Sequence, residues 1–455
     1  MQEEGNLRTE NKMGVLPINR LLFTMSFPAM ISMIVSALYN VIESIFVASI
    51  SEDAMAAVTL VFPVQMLMMS VAVGSGVGLA SLISRRLGAK RQEEAESAAA
   101  HGFILALVHW AVFACFGLFA AKPFFALYTD DPYIYESAVN FCRIVTIGSL
   151  FVNISVTCER VLQAMGNMIF PMTFNMTAAI LNCILAPTLI LGWFGAPKLG
   201  VIGAGVAVVT CQFVGMSIAL VLLFLYKKHP MKPRFAGFRI RGAMVKDIYS
   251  VGIPSMVMMS IGSFMISGLN AILIGHGNAA VAVLGVYYRL QSFIFMPVFG
   301  LNQGSMPIMG YNFGARKKDR LMMTFRRALV VAVGIMTIGT VLFHFCAHGM
   351  LALFSATPEM FEIGMPALRI ISLCFVPAAV SIVGSAMFQA LGHGGLSLTV
   401  SLLRQLVLIL PLTWLLLRTL GIDAAWASFP LAEGFALLLS VFFIRRLYNK
   451  EIRTL

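Results

Sequence analysis

The stretch AMAAVTLVFPVQMLMMSVAVGSGVGLASLIS, residues 54–84, contains no Asp, Glu, Lys or Arg. A helix needs about 20 apolar residues to cross a bilayer, so this segment is long enough to span one. Its neighbours read the same way, with uncharged runs from Leu21 to Ile42, Ser97 to Ala121, Leu199 to Tyr226 and Leu290 to Ala315. Two longer runs must each hold a pair of spans. Ile248 to Tyr288 is interrupted by Gly275-His276-Gly277-Asn278, and Ile370 to Leu403 by Leu391-Gly392-His393-Gly394-Gly395, both turn signals. The 455 residues are 59% hydrophobic and 11% charged, a balance that leaves too little polar surface for a soluble globular domain. The reading is an all-α integral membrane fold of twelve transmembrane helices.

A net charge of +12 would ordinarily raise nucleic acid as a partner. The basic residues are instead distributed by loop. Most of the 32 Lys and Arg lie in the N-terminal tail, the Arg85–Arg91 loop, the Lys227–Lys246 linker, the Arg316–Arg327 loop and the Arg445–Arg453 tail, while the alternate loops hold only Lys122, Lys198 and Arg418. This asymmetry is the positive-inside pattern; it places both termini in the cytoplasm and excludes nucleic acid as a partner. In a bacterium the membrane would be the inner one. The apolar stretch that follows the N-terminal tail is too long for a signal-peptide core and reads as the first span. Cys115, Cys142, Cys158, Cys183, Cys211, Cys346 and Cys374 fall within apolar spans without metal-ligand spacing, which predicts apolar packing and no bound metal. The histidines keep no ligand spacing with a carboxylate or cysteine either.

The sequence repeats at an offset of roughly half its length. Pro28, Met30 and Met33 align with Pro254, Met256 and Met259; Gln65, Gly74 and Gly78 with Gln291, Gly300 and Gly304; Gly88-Ala89 with Gly314-Ala315. The register continues without a gap through Pro132 and Pro358, Arg143-Ile144 and Arg369-Ile370, to Gln163-Ala164-x-Gly166 and Gln389-Ala390-x-Gly392. Two six-helix repeats that both begin in the cytoplasm are related by a pseudo-twofold axis along the membrane normal, as in secondary transporters. The expected division is an N-terminal lobe over 1–226, a basic cytoplasmic linker over 227–247 and a C-terminal lobe over 248–455. The matched Gly-x-x-x-Gly pairs predict close helix approach.

Several of these segments resemble the multidrug and toxic compound extrusion (MATE) family. They are Tyr39-Asn40-Val41-Ile42-Glu43-Ser44-Ile45-Phe46-Val47, Met296-Pro297 through Gln303-Gly304, Pro307-Ile308-x-Gly310-Tyr311-Asn312-x-Gly314-Ala315, and the two Gln-Ala-x-Gly segments. The similarity follows the repeat over nearly the whole chain and is closest to the bacterial DNA-damage-inducible and multidrug-efflux branches. It implies two six-helix lobes around a central cavity and drug export coupled to inward movement of protons or sodium. Where family members often carry an aspartate in the first span, this sequence has Glu43. The family's fifth-span Asn-x-x-x-Asp pattern matches at Asn182, but its acid position is Ala186, and its sixth-span threonine falls at Val208. Both departures disfavour sodium, a hard cation that wants several oxygen ligands.

A charge within hydrocarbon costs at least about 2.5 kcal/mol, so each survivor asks for a partner or a task. Glu43 lies well inside the first span, about 13 Å before the next acid, Glu52, at 1.5 Å per residue. Ser32, Ser36, Tyr39, Asn40 and Glu43 recur at helical spacing and form one polar stripe; Asn175 and Asn182 share a face of the fifth span. A network that merely holds helices together is the alternative reading. Against it, the position matching Glu43 in the second half is Leu269, so the scaffold is built once without the acid. Glu43, Asn182, Asn40 and Tyr39 are therefore the expected ion-coupling residues, and Ser36, Asn175, Arg289, Arg404 and Glu433 the expected cavity residues. Arg404 and Glu433 also suit a buried ion pair.

These features exclude some functions. No Gly-Lys-Ser/Thr phosphate loop is present for an ATP-driven pump, and no HExxH or Gly-x-Ser-x-Gly for an intramembrane enzyme. No cofactor is implied. The expectation is a proton-coupled antiporter exporting small, amphipathic, cationic organic compounds. A flippase or exporter of a lipid-linked or anionic metabolite, and a sodium-coupled drug antiporter, remain as alternatives.

Overall fold

A computed structural model describes residues 11–48, 50–195, 197–226, 229, 231–235, 238–354 and 356–455; the side chains of 37–45, 47, 48 and 194 lie outside that description. Every element is helical among the described residues. A short α1 (Lys12–Val15) precedes α2 (Ile18–Ala48), α3 (Glu52–Gly88), α4 (Gln92–Phe125), α5 (Pro132–Ala164), α6 (Ile169–Leu191), α7 (Gly200–Leu225) and α8 (Gly242–Leu273). The second half continues with α9 (Asn278–Gly314), α10 (Lys318–Phe345), α11 (Ala347–Ala352), α12 (Pro358–Ser372), α13 (Phe375–Leu391), α14 (Gly394–Leu420) and α15 (Ile422–Ile452). Among the described residues eleven helices are long and apolar enough to cross a membrane, and α12 with α13, bent by 48°, supplies the twelfth span. The proline at 377 explains that bend: its ring clashes with the carbonyl four residues back, at Leu373, where α12 has just ended. The matched residue of α5 is Phe151, and α5 runs unbroken.

The repeat extends to details of the backbone. Asp131 caps α5 by accepting from the Ile134 amide at 3.0 Å, and the matched Thr357 caps α12 by accepting from Met360 at 3.3 Å. Each is followed by a proline in the first turn, where its missing N–H costs nothing. Gly166 (φ 89°) and Gly392 (φ 94°) end the fourth span of each half in the left-handed conformation, which accounts for the glycine of both Gln-Ala-x-Gly segments. Lys90 and Arg316, also matched, are the non-glycine residues with positive φ, at 58° and 55°.

The chain packs as two compact units, one of residues 31–253 and the other of 1–30 with 254–455. Each sequence half thus contributes the beginning of its first span to the unit built by the other, with Pro28 and Pro254 beside the borders. In the 31–253 unit, α5 is central and packs on α3, α4 and α7, while α6 packs on α7. Its core joins Ala57, Val61, Phe125, Phe141, Cys142 and Ala204. The Gly78 position of α3 lies directly against the Ile248 carbonyl of α8, with Gly252 over Ser75. In the other unit α13 takes the central place, packing on α9, α10 and α15. There a Cβ at Gly300 would fall 2.6 Å from both N and Cα of Met30. The paired glycines serve the close approach expected of them, each against the first span of the opposite half.

The N-terminal α1 is bound to the end of α9. Asn312 donates to the Met13 carbonyl at 3.1 Å, Lys317 to Gly14 at 3.0 Å and Arg320 to Leu16 at 2.7 Å. Asn312 of the Gly-Tyr-Asn segment singled out in the sequence is thereby, with Lys317 and Arg320, an anchor for α1.

Candidate functional site

The polar groups within the spans fall into a separate set in each unit. In the 31–253 unit the first-span stripe is only partly described. Ser36 donates to the Ser32 carbonyl at 2.8 Å on helical backbone, while the side chains of Tyr39, Asn40 and Glu43 lie outside the described residues. On α6, Asn175 donates to Glu159 of α5 at 3.2 Å. Asn182, about two turns further along the same helix, is 2% exposed and accepts from the Cys211 thiol of α7 at 3.7 Å. The neighbouring Ala186 and Val208 are buried as well, with no side-chain oxygen to offer an ion.

Sequence reasoning missed the partner of Asn175. Glu159 accepts from Gln163 at 2.7 Å, and Gln163 in turn accepts from Arg160 at 2.9 Å, so one amide bridges an acid and a buried base. The matched residues of the other half are Ser385 and Ala386, the same one-sided pattern that drew attention to Glu43 and a signal that was available. Arg143, matched by the repeat with Arg369, donates to the Gly117 and Leu118 carbonyls at 3.3 and 3.4 Å, where a π-helical turn (Phe116–Ala120) interrupts α4. Its counterpart Arg369 donates to His344 at 3.2 Å. Both arginines satisfy carbonyls freed by an irregular helix end.

In the other unit, Arg404 of α14 and Glu433 of α15 form the pair that their isolation in apolar spans predicts. One terminal nitrogen of Arg404 donates to both carboxylate oxygens, at 3.2 and 3.0 Å. Glu433 is 5% exposed, and the Arg404 side chain keeps 20% of its surface. Arg404 stands on a π-helical turn, Leu403–Ile409, which displaces it from regular α-helical register. Tyr287 and Tyr288 of α9 and Cys374 lie close enough to feel these charges. Cys374 occupies the break between α12 and α13. Arg289, the remaining expected cavity residue, is exposed and makes no hydrogen bond or ion pair among the described residues. No cluster of three or more metal-ligating side chains occurs among the described residues.

Twelve apolar spans in two repeats, with charges held at span depth by broken helices, define a secondary membrane transporter. The MatE family model matches residues 28–188 and again 254–415, its two copies starting at the equivalent prolines Pro28 and Pro254. The chain belongs to the MATE family of transporters. Among its relatives, an FAD transporter of Shewanella oneidensis is 25% identical over 424 residues, covering 92% of both chains. The multidrug export protein MepA of Staphylococcus aureus is 23% identical over 436 residues and 95% of both. A solved MATE structure in complex with MaD3S superposes with a TM-score of 0.92 at 25% identity, over 98% of this chain and 99% of that one. A MOP superfamily transporter from Pyrococcus furiosus, whose binding pocket is described as having reverse polarity, gives 0.88 over 96% and 97%.

Proposed function

We propose that the protein is an antiporter of the bacterial inner membrane, with both termini cytoplasmic, that exports small amphipathic organic compounds in exchange for protons. The observation that carries this reading is the placement of Glu43. Its counterpart by the repeat is Leu269, an apolar and fully buried residue, so the acid has no equivalent in the other half. A carboxyl there exchanges a proton for a cationic cargo. Facing the outside it takes up a proton, loses its attraction for the cation and releases it; facing the cytoplasm it returns the proton and binds again. Each proton entering down 100 mV supplies about 2.3 kcal/mol. The absence of side-chain oxygens at Ala186 and Val208 supports protons over sodium. The multidrug export relatives support a broad cargo, and the FAD transporter extends it beyond cations.

The test is export of ethidium by purified protein in liposomes under separately imposed proton and sodium gradients. Wild type is expected to respond to the proton gradient and Glu43→Gln to lose that response while remaining folded. Full proton-driven export by the Gln variant removes Glu43 from the mechanism, and export driven by sodium alone replaces the coupling ion.

A further inference from the structure

The surroundings of Arg404 contain more hydrogen-bond donors than acceptors. Arg404 spends a single nitrogen on Glu433; its Nε is buried without a partner, and its remaining nitrogens make no hydrogen bond among the described residues. A guanidinium recognises carboxylate or phosphate best with two parallel N–H groups. Here the carboxylate of Glu433 engages one nitrogen and leaves the Nε edge of the fork vacant. In the same unit, the Tyr288 hydroxyl is also buried and unpartnered, within reach of the Arg404 charge. An unmet buried donor costs about 1–3 kcal/mol, so the free Arg404 Nε, with the Tyr288 hydroxyl in the same unit, indicates a missing acceptor.

The backbone around this group is irregular in two of the four contributing elements: the π-helical turn that carries Arg404, and the break at Cys374. In membrane proteins, non-helical backbone at span depth is tolerated where it is buried in protein or lines a cavity, and π-helical turns concentrate at functional sites. The exposed fifth of the Arg404 side chain supplies access. Its position, ten residues into α14, is about 15 Å along the helix from its start, deeper than a lipid headgroup rests.

We propose that Arg404, with Tyr288, forms a subsite for the carboxylate or phosphate of an organic cargo, Glu433 holding the guanidinium in place and balancing its charge when the subsite is empty. The inference rests on the transporter reading above and narrows its cargo: molecules that combine an apolar ring system with an anionic group are substrates, in addition to simple cations.

Riboflavin 5′-phosphate and riboflavin make a suitable probe pair, since they share a fluorescent ring and differ only in the phosphate. Binding is measured by fluorescence with the full-length protein in nanodiscs of zwitterionic lipid. Wild type is expected to prefer the phosphate by about tenfold or more, the range for a hydrogen-bonded charge. Arg404→Gln combined with Glu433→Gln, which leaves no lone buried charge, is expected to abolish the preference while retaining riboflavin binding. Tyr288→Phe, which preserves both charges, is expected to reduce it severalfold. Equal affinities in wild type, or a preference that survives in the double variant, overturn the subsite. If discs of phosphatidylglycerol abolish phosphate binding to wild type, the anion held at Arg404 is a lipid headgroup and the cargo assignment falls. Ethidium export by the same wild-type preparation under a proton gradient tests the antiport reading separately, so failure of one does not imply failure of the other.

Discussion

Replacing Gly300 with alanine adds one methyl group at a point where the α9–α2 contact is close enough for main chain to meet main chain. That carbon would lie 2.6 Å from N and Cα of Met30 and 2.9 Å from the carbonyl carbon of Ala29, all backbone atoms. Carbon atoms rest about 3.5–4.0 Å apart, so the first span must withdraw by about 1 Å, forfeiting a quarter to a half of the dispersion energy along the contact. No rotamer change can relieve a collision with main chain. Overpacking of this kind costs about 1–3 kcal/mol, and alanine recovers up to about 1 kcal/mol through its better helix propensity. The net expectation is a loss of about 1–2 kcal/mol. Gly334 on α10 is the internal control, because a Cβ there meets nothing within 4 Å. Thermal unfolding in detergent, followed by reaction of the buried thiols with a fluorogenic maleimide, should give a midpoint several degrees lower for Gly300→Ala. Gly334→Ala should match or slightly exceed wild type. Equal midpoints for the two variants would refute the close-approach argument.

Topology is checked with single cysteines in a background lacking the native thiols. Those at Asp53, Asp130 and Asn278 should react with an impermeant maleimide from outside the cell and those at Arg91 and Arg316 only after permeabilisation; labelling of Arg91 and Asp53 from one side contradicts the twelve-span arrangement. Glu43→Asp should retain part of the proton-driven ethidium export that Glu43→Gln loses, with its pH optimum moved slightly downward because an aspartate titrates about 0.4 units lower; an aspartate variant as inactive as the glutamine one argues that geometry, not proton binding, is what the position requires. Glu433→Leu alone should lower the unfolding midpoint more than Arg404→Met with Glu433→Leu, because the single change strands a mostly buried cation whereas the double change removes both charges. A double variant less stable than the single one would show that the pair is a net source of stability.

The spans, their number and the repeat were legible because lipid enforces them: an uncharged run of the right length has few other uses, and a twofold fold must carry matched turns. The pairing of Arg404 with Glu433 was legible for a related reason, since two opposite charges isolated in apolar segments have few other partners. Glu159 escaped notice because it is followed by Arg160 near the end of α5, where charges ordinarily mark the interface; its uncharged match at Ser385 was the readable sign, and the buried bridge through Gln163 confirms it. The donors around Arg404 were not legible at all. Tyr287, Tyr288 and Cys374 carry no local signal, and Cys374 was expected simply to pack; their meeting with Arg404 and Glu433 depends on helices far apart in sequence. The bend between α12 and α13 was in principle readable from Pro377 set against Phe151, a difference within an otherwise matched pair.

The exchange of first-span beginnings between the two sequence halves constrains how the molecule is made. Residues 18–30 are made well before the residues they pack against, which begin at Pro254 and include Gly300 and Gly304. The beginning of the first span therefore has to wait, already inserted, until synthesis has passed Gly304. The second half cannot complete its own unit if it is produced alone, because the segment it lacks belongs to the opposite end of the polypeptide. Translation order and packing order differ in this fold, and completion of that unit is a late event that unites residues made far apart in time.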